Sequence, residues 1–115
     1  MKTKRLIPAI PLIFAAASLT YAEDIPLEKT IEQWATSCRK CHGEDGAGKT
    51  KAGRKLRVKD YTDPAVQAEM KDEDMLKIIA EGVYEKGEEK MQAYKDEYSQ
   101  AEIKAFVAYI RSLQK

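Results

Sequence analysis

The stretch Cys38-Arg39-Lys40-Cys41-His42 decides the fold of this 115-residue chain. Two cysteines stand three positions apart, and a histidine follows the second at once. At a helix end, this spacing brings both thiols within reach of one flat ligand and turns the imidazole toward its centre. Haem meets this description, because its two vinyl groups can form two thioether bonds and its iron can bind the imidazole nitrogen. The C-x-x-C-H pattern is typical of c-type haem attachment.

Three other interpretations of the two cysteines compete with haem attachment. A C-x-x-C pair can be a thiol–disulfide redox centre, but such centres follow a strand, and no strand pattern precedes Cys38. A structural zinc site needs four Cys or His ligands, and the chain holds two cysteines and one histidine. A structural disulfide between Cys38 and Cys41 would close a very small loop and stabilise the fold little. The pattern therefore favours haem.

Length and charge limit the function classes. The chain has room for one domain. It carries 20 lysines and arginines, three of them in the first 22 residues, which leaves 17 against 19 acidic residues in the remainder, a net charge of −2. A nucleic acid is therefore not expected as a partner. The basic residues crowd between Lys49 and Lys59, where a solvated surface is the simplest interpretation and steering of an acidic partner is the alternative.

Residues 1–22 have the layout of a secretory signal peptide. A basic start, Lys2 to Arg5, precedes an apolar run over residues 6–19, and small residues precede an expected cleavage after Ala22. The run is short for a bilayer and contains two prolines, so no membrane span is expected in the mature chain. The sequence thus predicts an exported domain over residues 23–115, with the periplasm as its location.

Apolar periodicity and helix-boundary signals predict an all-α domain. The first helix begins near Pro26 and places five residues on one face: Leu27, Ile31, Trp34, Ala35 and Cys38. A glycine-rich loop covers residues 43–48. A short helix follows an Asp63-Pro64 cap, another spans about residues 72–82, and Ser99 and Glu102 form a capping box that opens the last helix. No strand is predicted.

The chain resembles a class I cytochrome c of the small bacterial mono-haem type. The motifs that carry the resemblance are Trp34 four residues before Cys38, the Cys38–His42 motif, the glycine-rich loop, the Asp60–Pro64 stretch, a helix ending in Glu81-Gly82, a methionine loop and the C-terminal run Val107–Arg111. The resemblance implies a small cytochrome c fold. In that fold three main helices and a short one wrap around a single covalently attached haem c. It also implies that the first and last helices cross, bringing Trp34 toward Tyr109 and Ile110.

The same resemblance implies the ligands of the iron. His42 and Met91 would be the axial ligands, while Met70 and Met75 are more simply core residues. The family usually has proline after its methionine, where this chain has Gln92. The family also has proline twelve positions past its haem histidine, where Arg54 stands. We expect the Arg54 backbone carbonyl to accept a hydrogen bond from His42 Nδ1, because haem-ligating imidazoles almost always donate their second ring N–H.

An iron held by imidazole and thioether has no open position, which suits electron transfer and predicts an electron carrier rather than an enzyme. We expect a monomer that meets redox partner proteins through transient, salt-sensitive contacts. Two alternatives stay open. The chain could be a haem enzyme or ligand sensor with a displaceable Met91, or a bound subunit of a larger redox complex.

Overall fold

A computed structural model of the chain describes residues 2–13 and 24–115. Residues 2–13 form no regular secondary structure, and their large apolar side chains, such as Leu6 and Ile10, are exposed. The predicted cleavage position after Ala22 lies outside the described residues. Within the described ranges, no helix has both the length and the apolar character to cross a membrane.

The domain is mostly helical, with one small antiparallel sheet. In chain order its elements are α1 Leu27–Ser37, α2 Arg39–His42, α3 Lys51–Leu56, α4 Pro64–Glu69, α5 Asp72–Glu81, β1 Val83–Glu85, β2 Glu88–Met91 and α6 Gln100–Ser112. The three long helices and the short α4 lie where the sequence predicts them. The helix α3 and the two strands were not predicted.

The predicted helix caps are confirmed. The Asp63 side chain accepts a hydrogen bond from the Ala65 N–H at 2.9 Å, and Pro64 stands at the first turn of α4. At the start of α6, the Ser99 hydroxyl accepts from the Glu102 N–H while the Glu102 carboxylate accepts from the Ser99 N–H. Gly82 ends α5 with a φ of 79°, a left-handed conformation that glycine adopts without strain.

The prediction that the domain has no strand is wrong. β1 and β2 pair as a hairpin in which Glu85 lies opposite Glu88. Lys86 and Gly87 form the two-residue connection with φ values of 51° and 79°. A connection with both φ angles positive matches the twist of paired strands, and this explains why so short a hairpin closes here.

The core lies between α1, α5 and α6. Its buried apolar residues are Trp34, Met75, Ile79, Tyr94, Ile103, Phe106, Val107 and Ile110. α1 and α6 pack against each other, and the rings of Trp34 and Tyr109 meet edge to face with 5.2 Å between centroids. The predicted proximity of Trp34 to Tyr109 is confirmed.

The buried face of α1 differs from the predicted one. Leu27 and Ile31 are 60% and 45% exposed, whereas Thr30 is only 2% exposed. Thr30 and Trp34, four residues apart, therefore form the inward side of this helix. The apolar spacing of Leu27 and Ile31 marks a second, solvent-facing stripe.

A buried amide ties α4 to α6. Gln67 is 3% exposed, and its Nε2 donates to the carbonyls of Tyr61 at 2.8 Å and Ile110 at 2.9 Å. Arg111 completes the joint by donating to the Gln67 carbonyl at 2.6 Å and the Met70 carbonyl at 2.7 Å. The end of α4 and the segment before it are thereby fixed against the last helix.

Candidate haem site

The motif residues lie on one cavity of about 570 Å³, a size typical of sites for small molecules and cofactors. Cys38, Cys41 and His42 all line it, and so does Met91, which is 49 positions further along the chain than His42. The structure thus brings four of the five predicted site residues to one cavity. The fifth, Arg54, is exposed and does not line it.

The helical turn α2 positions the motif. The Cys38 N–H donates to the Trp34 carbonyl at 2.9 Å, and the His42 N–H donates to the Cys38 carbonyl at 2.9 Å. The two cysteines and the histidine therefore occupy one helical turn after α1. The Trp34 indole N–H then donates to the Gly43 carbonyl at 2.9 Å, which holds the residue after His42 against α1.

The glycine-rich loop folds the chain back onto the motif. The Gly48 N–H donates to the His42 carbonyl at 2.8 Å, and the Thr50 hydroxyl donates to the Cys41 carbonyl at 2.8 Å. A Cβ at Gly53 would overlap the carbonyl oxygens of Cys41 and Gly48. Only glycine at this position lets α3 approach the motif so closely.

The Cys38 thiol does not have the character of a reactive redox cysteine. Both cysteines are free. Burial, with a smaller contribution from neighbouring Cys41, raises the pKa of Cys38 to about 12. Reactive redox cysteines have a lowered pKa, because the thiolate is the nucleophile. Among the described residues, no group of three or more His, Cys, Asp or Glu is arranged to hold a metal ion by itself.

His42 is buried in a form suited to ligating a metal. Burial lowers its pKa below the usual value for histidine, which favours the neutral imidazole that binds metals. Its Nδ1 is buried and has no hydrogen-bond partner within residues 2–13 and 24–115. The predicted hydrogen bond from this Nδ1 to the Arg54 carbonyl is therefore not formed in the structure.

Both backbone groups of Arg54 take part in the hydrogen bonds of α3, and this explains the absence of proline at position 54. The Arg54 carbonyl accepts the Arg57 N–H at 3.3 Å as α3 ends. The Arg54 N–H donates to the Thr50 carbonyl at 2.9 Å, which closes the first turn of α3. Proline has no N–H and would lose this bond.

Two aromatic rings contact the His42 ring. Tyr61 stacks on it, with 5.2 Å between centroids and 20° between planes. Trp34 packs beside it at 5.8 Å and 40°. Burial raises the pKa of Tyr61 to about 12, so its hydroxyl is neutral at physiological pH. Sequence reasoning missed this role for Tyr61, although Tyr61 lies in the Asp60–Pro64 stretch that carries part of the resemblance.

Backbone contacts hold Met91 on both sides. Met91 is the last residue of β2 and pairs with Val83. A Cβ on Gly82 would lie 2.5 Å from the Met91 carbonyl oxygen, so the two backbones are in close contact. Beyond Met91, the Tyr94 N–H donates to the Ile79 carbonyl at 3.0 Å. These contacts supply the rigidity that proline would give at Gln92.

Two other methionines also line the cavity. Met75 belongs to the buried core, and Met70 is partly buried at the end of α4. The geometry thus leaves three thioethers beside the cavity. They differ in setting, because Met75 and Met70 belong to helical packing while Met91 ends a strand.

The lining includes residues of both charges. Lys40, Arg57 and Lys59 line the cavity from the part of the chain around the motif and α3. Glu69, Asp74, Glu85 and Glu89 line it from α4, α5 and the hairpin. Side chains of both charges therefore border the same cavity, and Lys71 and Lys90 lie among the acidic residues of the lining.

The chemistry of this lining fits a haem group. Two thiols at C-x-x-C spacing could form two thioethers with haem, the neutral buried imidazole could ligate its iron, and a methionine sulfur could supply a second ligand. The aromatic and aliphatic lining supplies the apolar surroundings of a flat macrocycle.

Comparisons with known proteins agree with this chemistry. The model of the family described as "Cytochrome C oxidase, cbb3-type, subunit III" matches residues 27–110. The solved structure "KustC0563 c-type cytochrome" is 30% identical with a TM-score of 0.67; the match covers 75% of this chain and 98% of that one. A tyrosine-to-phenylalanine variant of that protein is 29% identical with a TM-score of 0.64, over 74% and 98% of the two chains. No curated protein sequence matches the chain significantly.

The chain is a c-type cytochrome. It belongs to the family of the cbb3-type oxidase subunit III domain, whose members use covalently bound haem c for electron transfer.

Proposed function

We propose that the chain is an exported mono-haem cytochrome c that carries single electrons between redox partner proteins. Cys38 and Cys41 attach the haem, and His42 and Met91 ligate its iron. The observation that carries this proposal is the position of all four residues on a single cavity.

The residues of the chain hold and shield the cofactor. When bound, haem supplies the one-electron couple of its iron. Cys38 and Cys41 fix it covalently, and His42 offers a neutral nitrogen from a helical turn that Trp34 and Thr50 hold by hydrogen bonds. The buried core residues along the cavity exclude water, and a neutral thioether in such surroundings raises the reduction potential.

The setting of Met91 supports a carrier over an enzyme or ligand sensor. A methionine ligand is displaced more easily when the backbone that carries it can move, in addition to rotation of its side chain. Met91 pairs with Val83 in the hairpin, and three residues after Met91 the Tyr94 N–H donates to the Ile79 carbonyl. Both contacts oppose movement of the backbone at Met91. We therefore propose that Met91 would stay in place as a ligand of the bound haem, which favours an electron carrier.

The absorption spectrum of the reduced protein, recorded with and without carbon monoxide, tests this proposal. A carrier with His42 and Met91 ligation gives a low-spin spectrum that carbon monoxide leaves unchanged on the timescale of mixing. A rapid shift of the Soret band on adding carbon monoxide would identify an open or displaceable position and favour the enzyme or sensor.

The family name raises the possibility of a bound complex subunit. The match to the KustC0563 c-type cytochrome covers 98% of that chain, which supports a single cytochrome domain in this chain. Native mass of the purified protein separates the two, since a carrier is a monomer with one haem and a subunit co-purifies with further chains.

We propose that redox partners contact the charged rim of the cavity transiently. Lys59 and Glu89 both line the cavity, so exposed charges of both signs surround the route for electrons. Such charges are screened over about 8 Å at physiological ionic strength. Electron exchange with a partner should slow as salt is added, which stopped-flow mixing measures. A rate independent of salt would indicate an apolar contact instead.

A further inference from the structure

The imidazole of His42 has one buried nitrogen whose hydrogen-bonding need is unmet. Nδ1 has no hydrogen-bond partner in the described part of the chain, and the Arg54 carbonyl accepts the Arg57 N–H. Metal-bound histidines almost always donate their second N–H to a carbonyl, carboxylate or water, which fixes the orientation of the ring. The ring of His42 must therefore be oriented by something else.

The aromatic contacts supply that restraint. Tyr61 lies nearly parallel to the His42 ring, at 20° and 5.2 Å, so rotation of the imidazole would drive its edge into the phenol ring. Trp34 packs against the same ring at 5.8 Å and is itself fixed by its hydrogen bond to the Gly43 carbonyl. Offset-stacked and tilted pairs at these distances are favourable ring geometries.

The position of Tyr61 is fixed from two sides. Its N–H donates to the Gly46 carbonyl at 2.9 Å, within the loop that follows the motif. Its carbonyl accepts from the buried Gln67 amide at 2.8 Å, and Gln67 is bound in turn by Arg111. The Tyr61 ring is thus anchored to both the glycine-rich loop and α6.

We propose that Tyr61 is a positioning residue that holds the plane of the His42 imidazole by stacking, together with Trp34, in place of a hydrogen bond to Nδ1. The inference rests on the proposed haem ligation by His42. An imidazole whose Nδ1–H has no acceptor is a weaker electron donor than one with an acceptor. This arrangement therefore stabilises the ferrous form and raises the reduction potential.

Two variants of Tyr61 separate stacking from other roles. Tyr61→Phe keeps the ring and loses the hydroxyl, whereas Tyr61→Leu loses the ring. The readout is the proton NMR spectrum of the ferric protein, since the spread of the four haem methyl signals reports the orientation of the axial imidazole plane. Tyr109→Leu is the matched control, because Tyr109 is also partly buried but packs on Trp34.

We expect Tyr61→Phe and Tyr109→Leu to keep the methyl pattern of the natural protein. Tyr61→Leu should compress that spread severalfold and broaden the signals, because the imidazole then samples several orientations. An unchanged pattern in Tyr61→Leu would overturn the proposal. A change as large in Tyr61→Phe would also overturn it, since the hydroxyl and not the ring would then be responsible.

A measurement on the natural protein covers the case in which Tyr61→Leu does not fold. In the ferrous form, nuclear Overhauser contacts should connect the ring protons of Tyr61 and His42, and the Nδ1–H signal should lack the downfield shift of a hydrogen-bonded N–H. A strongly downfield Nδ1–H would indicate a bonded nitrogen and overturn the proposal. Absence of covalent haem, or of a low-spin spectrum, would instead contradict the proposed function.

Discussion

The His42 side and the Met91 side of the cavity are built in opposite ways. On the His42 side, residues close in sequence bond to one another, as when the Gly48 N–H donates to the His42 carbonyl. On the Met91 side, a hairpin is held by backbone contact with the end of α5 at Gly82. His42 is thus positioned by a hydrogen-bonded helical turn and loop, and Met91 by close backbone packing between a hairpin and the end of α5.

The first prediction disrupts the His42 side of the cavity. In Gly53→Ala, the new Cβ would overlap the carbonyl oxygens of Cys41 and Gly48, neither of which can move without distorting the motif. Overpacking typically costs about 1–3 kcal/mol, and we expect the upper end here because both contacts are backbone. Chemical denaturation of the haem-loaded protein measures the loss. In an ordinary helix, a change from glycine to alanine would raise the free energy of unfolding by about 1 kcal/mol. A variant that is as stable as the natural protein, or more stable, would therefore contradict the described packing.

The next prediction tests which methionine sulfur ligates the iron on the Met91 side of the cavity. Met91→Ala should abolish the weak long-wavelength absorption band that reports iron–sulfur bonding and should lower the reduction potential. Met75→Ala should keep that band and lose about 2–5 kcal/mol of stability, because it empties a buried core position. Loss of the band in Met75→Ala, or its retention in Met91→Ala, would reassign the ligand.

Two glycines with the same φ of 79° sharpen the comparison on the Met91 side. In Gly82→Ala the new Cβ would lie 2.5 Å from the Met91 carbonyl oxygen, whereas at Gly87 it would meet nothing within 4 Å. Both changes also place a side chain at positive φ, which costs about 1–3 kcal/mol. Only Gly82→Ala should also weaken the long-wavelength band. Equal effects of the two variants on the band would show that close packing at Gly82 does not position Met91.

The residues on the His42 side were easier to predict than those on the Met91 side, because they lie next to one another in the sequence. The spacing of the motif alone predicted that three residues lie on one site, and the structure places them on one cavity: Cys38, Cys41 and His42. The helix caps at Asp63 and Ser99 were equally readable, since each is a local side-chain bond.

What the sequence did not predict depends on tertiary contacts. The hairpin residues Glu88 to Lys90 have low strand propensity, so only the Lys86-Gly87 connection marked the turn. The burial of Thr30 in place of Ile31 depends on how α1 rests on α6. The sequence also did not predict α3, which runs through position 54 and uses both backbone groups of Arg54.

A smaller effect is expected at the contact between α1 and α6, which supports both the His42 side and the Met91 side of the cavity. Hydrogen bonds from the Ser99 backbone N–H and the Gln33 amide, assisted by Lys29, lower the pKa of Glu102 to about 2. Because the folded-state pKa lies below the ordinary 4.5, this contribution is complete above pH 4.5 and is lost as pH falls toward 2.

Glu102→Gln should therefore cost about 1 kcal/mol at pH 7, since the site is partly solvated and hydrogen bonds to charged groups contribute modestly there. The difference from the natural protein should shrink as pH falls below 4.5. Thermal unfolding at several pH values measures it. A difference that persists unchanged at pH 2 would show that the carboxylate charge is not responsible. The visible absorption spectrum, which reports ligation by His42 and Met91, should be the same in Glu102→Gln as in the natural protein at each pH.

The most direct test of the account is the mass of the denatured protein after expression with a haem-attachment system. The account predicts one haem on each chain, retained through acid–acetone extraction and giving the pyridine haemochrome spectrum of two thioether bonds at Cys38 and Cys41. Haem that is extracted by acid–acetone, or a chain that carries none, would contradict it.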